Sequence, residues 1–297
     1  MMDAVITYVN MADPFWQADF ERTTGVPVQE KRFRDWGTLP FLLRGISECM
    51  PFVEKVHLVL SRRSQAPAFL SDQVHIVLHE DIIPPEFLPT FNSCTIEMFL
   101  HRIPGLPERF LYFNDDMFPL LPSAEEDFFP DGKGAIGFSR HLFAPGLYKK
   151  QTRNSDRLAR QALGLKPSPV FIRPQHVPSP MLRSVSEEAF RLQETEIRSR
   201  LSPLRTEANL NQYYFLDYLY HSGRAVNRRL GNKHFSLATA TPGAIREFLT
   251  HPTHAFACIN DVHLSEAQFS KCKEAILEGF RSRFPEPSRF ERNADER

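Results

Sequence analysis

The sequence lacks the short motifs that mark several common enzyme classes. Its 297 residues contain no Walker phosphate loop, no GxSxG and no HExxH. P-loop NTPases, hydrolases with a nucleophile elbow and zinc peptidases therefore lose support. Cysteine occurs only four times and never with CxxC spacing. No disulfide framework is predicted, and a reducing compartment is favoured.

An excess of one charge sign and a long apolar run are missing as well. Lys and Arg total 36, and Asp and Glu also total 36, so no overall field favours nucleic acid as a partner. No apolar run approaches the length of a transmembrane helix, and the first residues lack the basic start and apolar stretch of a signal peptide. Any membrane association is expected to be peripheral at most.

Apolar residues are plentiful, and their patterns alternate between strand and helix. Hydrophobic residues make up 42% of the chain, with 26 Phe and 24 Pro against 13 Gly, which is typical of a globular core with proline-rich turns. We predict strands at 3–10, 55–60, 74–78 and 110–114, and helices at 39–50 and 93–103. This order predicts an α/β fold in which helices flank a parallel-rich, Rossmann-like or GT-A-like central sheet, with a smaller mostly helical lobe.

Changes in composition and hydrophobic pattern divide the chain into four predicted segments. These are a first part of the α/β core at 1–122, a mostly helical lobe at 123–230, a return to the core at 231–284 and a charged, disordered tail at 285–297. Residues 11–31 are predicted to be polar and irregular. Further helices are predicted at 155–163, 180–192, 209–222 and 266–284, and further strands at 235–238 and 255–259.

Two adjacent carboxylates follow the aromatic run LYFNDDMF at 111–118. Burying two acids beside a core strand is costly unless a cation shares the site. Asp115 and Asp116 are therefore candidate ligands of Mg2+ or Mn2+, which prefer oxygen donors. The alternative is a simple turn after the strand. Near the other end of the chain, Asn260 and Asp261 follow a second short apolar strand, and they are candidate metal ligands for the same reason.

Other polar residues sit where a ligand can be held, and each has a structural alternative. Asn10 and Asp13 follow the first strand, where an Asx turn is equally plausible. Arginines at 32, 34 and 44 suit phosphate oxygens, or form a solvated loop. Asn92 and Ser93 begin a helix whose free N–H groups suit a phosphate, or simply cap it.

Three more segments carry titratable side chains. Glu97 and His101 share a helix face, where they can pair with each other. His176 lies in a proline-rich segment and suits a general base, because the pKa of histidine lies near neutrality. Arg205 can hold a phosphate or cap the following helix. A structural zinc site built from His251, His254, Cys258 and His263 is a minor alternative.

Taken together, these segments resemble the Stealth family of hexose-1-phosphate transferases, which act in bacterial capsule and surface-polysaccharide synthesis and are related to an animal N-acetylglucosamine-1-phosphotransferase. Four regions carry the resemblance in order along the chain. They are AVITYVNMAD at 4–13, the segments FRDWGTLPFLLRGI, LPTFNSCTIEMFLHRIPGL and FLYFNDDMF within 33–118, QHVPSPM and LRTEANLNQYYFLDYL within 175–219, and FACINDV at 256–262.

The resemblance implies transfer of a hexose-1-phosphate, N-acetylated or not, from a UDP-sugar to a hydroxyl of an acceptor glycan, with release of UMP. It implies that Asp116 and Asp261 hold Mg2+ or Mn2+, with Asp115 and Asn260 beside them. It further implies that His176 is the base and that Arg205 holds the phosphate. The implied donor pocket comprises Asn10, Asp13, Arg34, Asn92, Ser93 and His101.

A bacterial member of this family is expected in the cytoplasm, with at most peripheral contact with the inner membrane face. Two other functions remain open from the sequence. One is a metal-dependent glycosyltransferase that forms a glycosidic bond and releases UDP. The other is a carbohydrate-binding module without catalysis, although Asp115, Asp116, His176, Arg205 and Asp261 are all present.

Overall fold

The computed structural model describes residues 2–28, 34–260 and 264–292. The strands are β1 Met2–Thr7, β2 Val53–Leu60, β3 Val74–Leu78, β4 Arg109–Phe113, β5 Met117–Pro119, β6 Gly134–Ala135, β7 Phe138–His141, β8 Phe171–Pro174, β9 Ser179–Leu182, β10 Ala225–Val226, β11 Asn232–Ser236 and β12 Phe256–Asn260. The helices are α1 Pro14–Thr24, α2 Leu39–Cys49, α3 His79–Ile82, α4 Ser93–Glu97, α5 Glu125–Phe128, α6 Gly146–Ala162, α7 Arg183–Leu192, α8 Glu194–Ser199, α9 Tyr213–His221, α10 Pro242–Thr250 and α11 Glu266–Arg283. Short 3-10 turns occur at Arg63–Gln65, Pro85–Phe87, Leu100–Arg102 and Pro130–Gly132.

A five-stranded central sheet has the strand order β3-β2-β1-β4-β9. The first four strands are parallel, and β9 pairs antiparallel with β4 at the edge. The chain moves outward from β1 to β3 and then crosses back to place β4 on the other side of β1. Ligands of such sheets bind at the carboxyl ends of the strands, where the order reverses. The predicted α/β class with a parallel-rich sheet and flanking helices is confirmed.

Both faces of this sheet are buried. Ala4 and Ile6 of β1 pack in one apolar cluster with α2, α10 and α11, whereas Val5 packs in a second cluster with α6, α7 and α9. Neighbouring side chains of a strand point to opposite faces, so a fully apolar strand requires cover on both sides. A smaller three-stranded sheet, with the order β11-β12-β5, brings the end of the chain back beside β4.

The predicted irregular segment at 11–31 is wrong for residues 14–24, which form α1. The signals for this helix were present in the sequence. Asp13 accepts a hydrogen bond from the backbone N–H of Phe15, Pro14 occupies the first turn, and Gly25 ends the helix with φ 70°. An Asp cap, an early proline and a left-handed glycine are ordinary helix boundaries, and they outweighed the polar composition.

The segment 123–230 contains α5 to α9, but it is not a helical lobe separate from the sheet. The helix predicted at 180–192 begins at Arg183, because Ser179–Leu182 form β9 and pair with β4. This segment therefore completes the central sheet. The sequence GKGAIG at 132–137 has GxGxxG spacing, yet it leads into β7 and not into a helix, so it is not a dinucleotide loop.

The predicted disordered tail is wrong for residues 285–292. Phe290 is fully buried in the main apolar cluster, and its carbonyl accepts a hydrogen bond from the backbone N–H of Ser71. Nε and Nη2 of Arg44 donate to the buried carboxylate of Glu291, at 2.9 and 2.8 Å. Arg44 therefore anchors the end of the chain and is not a phosphate ligand. The charged composition of this segment gave no indication that one large apolar side chain, Phe290, is buried in the core.

Replacing Phe290 by Ala is expected to lower the free energy of unfolding by about 3–5 kcal/mol, because a fully buried aromatic ring leaves a cavity. Urea denaturation followed by circular dichroism measures this change. The matched control is Glu286→Ala, at an exposed position in the same segment. A loss below about 1 kcal/mol for Phe290→Ala would contradict the packing described here.

None of the helices among the described residues combines the length and apolar character needed to cross a bilayer.

Candidate active site

A large cleft of about 900 Å3 opens at the carboxyl ends of β1 and β4. Its floor is formed by residues that directly follow these strands, Tyr8 and Val9 after β1 and Asn114 to Asp116 after β4. This is the point at which the strand order reverses. A volume of this size accommodates a ligand as large as a nucleotide sugar.

Asp115 and Asp116 lie side by side on the floor of the cleft. Loss of hydration on the cleft floor and the neighbouring Asp116 carboxylate raise the pKa of Asp115 to about 7, well above its ordinary value. Two adjacent carboxylates repel each other, and the second one ionises reluctantly unless a cation is present. The pair therefore has the electrostatic character of a cation site.

Asp116 is bound by two further side chains from distant parts of the chain. His176 Nε2 lies 3.0 and 3.1 Å from the two carboxylate oxygens, and the Cys258 thiol donates to Oδ2 at 3.4 Å. Burial alone would lower the pKa of His176, but the adjacent Asp116 carboxylate outweighs it, so the pKa is raised. Burial would raise the pKa of Asp116, and the His176 contact lowers it instead.

The first wall of the cleft carries Ser93, Glu97 and Arg205. Arg205 Nη2 donates to Ser93 Oγ at 2.6 Å, and the backbone N–H of Gln212 donates to Glu97 at 2.7 Å. Burial raises the pKa of Glu97 to about 7, although Arg205 opposes the shift. The guanidinium of Arg205 is thereby bonded to a neutral hydroxyl, and no other side-chain hydrogen bond joins it to the described part of the chain, so its other donors can serve a ligand.

The second wall is formed by three short segments around His176. Gln175 and His176 directly follow β8. The Gln175 side chain and the His176 carbonyl form hydrogen bonds with residues 230 and 232, where β11 begins. Gln175 Nε2 donates to the Leu230 carbonyl at 3.2 Å, and the Leu230 N–H donates back to Gln175 Oε1 at 3.0 Å. The Asn232 amide donates to the His176 carbonyl at 3.3 Å. Arg173, Arg229 and His234 line the cleft on this wall.

Several predicted donor-pocket residues do not line the cleft. Asn10 accepts the Ala12 N–H at 3.0 Å in an Asx turn, and Asp13 caps α1 and accepts from Ser64 at 2.7 Å. Asn92 is fully buried, where it caps α4 and donates to the Ser202 carbonyl at 3.0 Å. For Asn10 and Asn92 the structure shows the structural alternative, whereas the cap that Asp13 provides to α1 was not predicted.

His101 is also placed away from the cleft, and it does not pair with Glu97. The helix ends at Glu97, and a separate 3-10 turn at Leu100–Arg102 carries His101 against the rings of Phe190 and Phe215. Burial lowers the pKa of His101 to about 3, so this imidazole is a neutral core residue. The prediction of a binding role for His101 is wrong, because it assumed one continuous helix.

Arg34 and Ser93 do line the cleft. Arg34, however, is already engaged by the start of α11. It donates to the Leu264 carbonyl at 3.3 Å, forms an ion pair with Glu266 and stacks 4.5 Å from the centre of the Phe269 ring. Its side chain is only 6% exposed, so Arg34 joins the cleft wall to the C-terminal helix.

The second predicted metal-binding pair is Asn260 and Asp261. Asp261 and the side chain of Asn260 lie outside the described residues. The strand that leads to them does run along the floor, because the Ile259 N–H donates to the Asp116 carbonyl at 3.1 Å. The role of Asp261 stays a prediction.

Among the described residues, the side chains that come together as a potential metal group are Asp116, His176 and Cys258, with ligand atoms within 4.8 Å of one another. His251 and His254 are not part of this group, and His263 lies outside the described residues. Burial and Asp116 strongly raise the pKa of the Cys258 thiol. The protonated thiol is a poor metal ligand, so the carboxylates are the better donors.

Cys258, Glu97, Arg173 and Arg229 were not assigned to the site from the sequence. Cys258 was considered only for zinc, and Glu97 only for a helix pair. No local signal identified Arg173 or Arg229, since contacts between segments more than 50 residues apart bring them to the cleft.

Comparison with known proteins matches residues 32–136 to the model for the Stealth protein conserved region 2. The receptor polysaccharide phosphotransferase WefC of Streptococcus oralis is 29% identical, covering 88% of this chain and 90% of its own length. The capsular polysaccharide phosphotransferase WcwK of Streptococcus pneumoniae is 28% identical, covering 98% and 99%. The capsular polysaccharide phosphotransferase fcs1 of Haemophilus influenzae is 29% identical, covering 90% and 80%.

Among solved structures, mouse xyloside xylosyltransferase 1 in its apo form aligns with a TM-score of 0.39 and 12% identity, over 88% of this chain and 98% of its own. The matched conserved region contains Asp115 and Asp116 together with Ser93 and Glu97 of the first wall, and the relatives align along nearly the whole chain. The chain is a phosphotransferase enzyme, and these matches support a polysaccharide phosphotransferase of the Stealth type.

Proposed function

We propose that this enzyme transfers a hexose-1-phosphate from a UDP-sugar to a hydroxyl of an acceptor glycan in surface-polysaccharide synthesis, forming a phosphodiester and releasing UMP. The Asp116–His176 contact of 3.0 Å is the observation that carries the proposal. It places a carboxylate, a titratable imidazole and Asp115 on one floor, within the same cleft as Arg205. Phosphoryl transfer requires charge neutralisation, alignment and a proton acceptor.

Asp115 and Asp116 are the described residues that would hold a divalent cation, Mg2+ or Mn2+. Two carboxylates fit such an ion, because Mg2+ is commonly held by one or two carboxylates together with water and substrate phosphate. Asp261 is proposed as a further ligand from the sequence. When bound, the cation neutralises the charge of the donor diphosphate.

His176 is the proposed general base, and Nε2 is the nitrogen at which it accepts the proton. Nδ1 is enclosed by protein without a hydrogen-bond partner among the described residues, whereas the side chain as a whole is 26% exposed to the cleft. Nε2 carries a proton while it contacts the Asp116 carboxylate, so it can act as the base only when it has lost this proton and the bound acceptor hydroxyl has replaced the contact. Active-site hydrogen bonds often reach their working geometry only with substrate bound.

The proposed reaction balances without any further reactant. The acceptor oxygen attacks the phosphorus that carries the sugar, and the bond from this phosphorus to the bridging oxygen of the diphosphate breaks. The acceptor proton passes to His176, and UMP leaves with the bridging oxygen. Arg205 is suited to stabilise the transferred phosphate, since its guanidinium offers several donors in one plane.

Replacing Arg205 by Gln is expected to lower kcat by ~10²–10³-fold, which is typical for the loss of one oxyanion donor. Arg205→Lys should recover only part of this loss, because the ammonium lacks the planar fork. Steady-state kinetics at saturating donor measures the effect. The control is Arg198→Gln, an arginine that pairs with Glu86 outside the cleft. An unchanged kcat for Arg205→Gln would remove Arg205 from the site.

The direct test is incubation of the purified enzyme with a panel of UDP-sugars and Mg2+, with and without acceptor oligosaccharides. Release of UMP that depends on acceptor, together with a new phosphodiester, supports the proposal. Release of UDP with a glycosidic product supports a glycosyltransferase instead. Binding without either product would support a non-catalytic carbohydrate module.

A further inference from the structure

The second wall of the cleft contains two arginines that have no ionic partner among the described residues. Arg173 projects from β8, and Arg229 lies just before β11; both line the cleft. Neither forms a salt bridge or side-chain hydrogen bond within the described part of the chain, whereas most of the other arginines there do. Unpaired guanidinium groups in a cleft are suited to anionic oxygen atoms of a ligand.

These arginines are held in place by a built scaffold. Ser139 of β7 pairs in register with Arg173 of β8. Arg229 is fixed by its neighbour Leu230, whose backbone is bonded in both directions by the Gln175 side chain at 3.0 and 3.2 Å. Gly137 allows this close approach, because a Cβ there would lie 2.1 Å from Gln175 Oε1 and 2.7 Å from Arg229 Cα. The arrangement is part of the fold, and the arginines are not on a free loop.

The position of the two arginines separates them from the proposed donor side. Arg205 belongs to the first wall with Ser93, whereas Arg173 and Arg229 belong to the segments on either side of His176. His176 therefore belongs to the same wall as Arg173 and Arg229. A ligand bound by these arginines lies on the wall that carries His176, which is where the accepting hydroxyl must be for its proton to pass to that side chain.

We propose that the second wall is an acceptor subsite for an anionic glycan, in which Arg173 and Arg229 bind a negative group close to the sugar that carries the accepting hydroxyl. This inference rests on the proposed function for its assignment of sides. The negative group is either a phosphodiester, which the transfer itself creates, or a uronic acid carboxylate. Both offer oxygen atoms that an arginine fork recognises.

Direct binding distinguishes the possibilities without requiring turnover. The probes are N-acetylchitobiose as the neutral disaccharide, its derivative with a methyl phosphodiester at one 6-position, and the matching 6-carboxylate. Titration calorimetry on the full chain gives each dissociation constant. We expect the anionic disaccharides to bind ~10–100-fold more tightly than the neutral one, which is the range for charge-assisted hydrogen bonds. The tighter of the two identifies the source of the charge.

The double variant Arg173→Gln/Arg229→Gln should reduce this preference to about twofold or less, while N-acetylchitobiose binding stays near that of wild type. The control is Arg228→Gln, which removes one positive charge at the position next to Arg229, where the arginine pairs with Asp127 at 2.8 Å. This control should keep the preference.

Equal binding of the neutral and anionic disaccharides by the wild type would overturn the inference. So would loss of the preference in Arg228→Gln, or a raised KM for the UDP-sugar in the double variant, which would assign the arginines to the donor. These outcomes are separate from the proposed function, which fails only if the product assay yields no acceptor-dependent UMP.

Discussion

Replacing Asp116 by Asn is expected to lower the rate of transfer by ~10³–10⁴-fold, by analogy with the loss of a carboxylate that orients a catalytic histidine. The amide keeps the shape of the side chain but removes its charge. It thereby removes the ionic partner of His176, which lies 3.0 Å away, and half of the carboxylate pair on the cleft floor. No other described carboxylate contacts His176.

The measurement for Asp116→Asn is kcat/KM with UDP-sugar and acceptor in a buffer containing Mg2+. Circular dichroism and urea denaturation show whether the variant is folded. The matched control is Asp131→Asn, an exposed turn residue outside the cleft, which should act as wild type. A folded Asp116→Asn variant with more than about a tenth of wild-type activity would contradict the assigned role.

Replacing His176 by Ala is expected to lower kcat by ~10²–10⁴-fold, which is the usual contribution of a general base. The same variant should change the pH profile. A base acts in its neutral form, so wild-type activity falls as the pH falls through the pKa of His176. Burial would lower this pKa, but the Asp116 carboxylate raises it above the usual value of 6.5. The acidic limb of the wild type is therefore expected above pH 6.5 and should be missing in His176→Ala.

The pH dependence of kcat/KM measures this second effect. His251→Ala is the matched control, because His251 is an exposed histidine after α10 and does not line the cleft. It should keep both the rate and the acidic limb. If the acidic limb persists unchanged in His176→Ala, another group accepts the proton, and His176 is only a structural partner of Asp116.

Much of the central sheet was predictable, because the strand pattern is present in the local sequence. The runs at 55–60 and 74–78 are rich in β-branched and other apolar residues, so they match β2 and β3 closely. The position of Asp115 and Asp116 also followed from local order, since they directly follow a core strand at a point where parallel strands end.

Residues whose roles depend on distant partners were harder to predict. Asn10 and Asp13 have the correct chemistry for a ligand, yet their neighbours offer backbone N–H groups that satisfy them first. The prediction for His101 was wrong because a four-residue spacing indicates a shared face only within an unbroken helix. Arg173 and Arg229 lie in no recognisable motif, and long-range contacts such as the two hydrogen bonds between Gln175 and Leu230 bring them to the same wall.

The fate of the donor's β-phosphate tests the central claim most directly. UDP-sugar labelled with ³²P at the phosphate attached to the sugar is incubated with enzyme, Mg2+ and acceptor, and the glycan is separated from the nucleotides. The account predicts that the label enters the glycan and that the released nucleotide is unlabelled UMP. Label recovered in UDP, with an unlabelled glycan that has gained a sugar, would show attack at carbon and contradict the account.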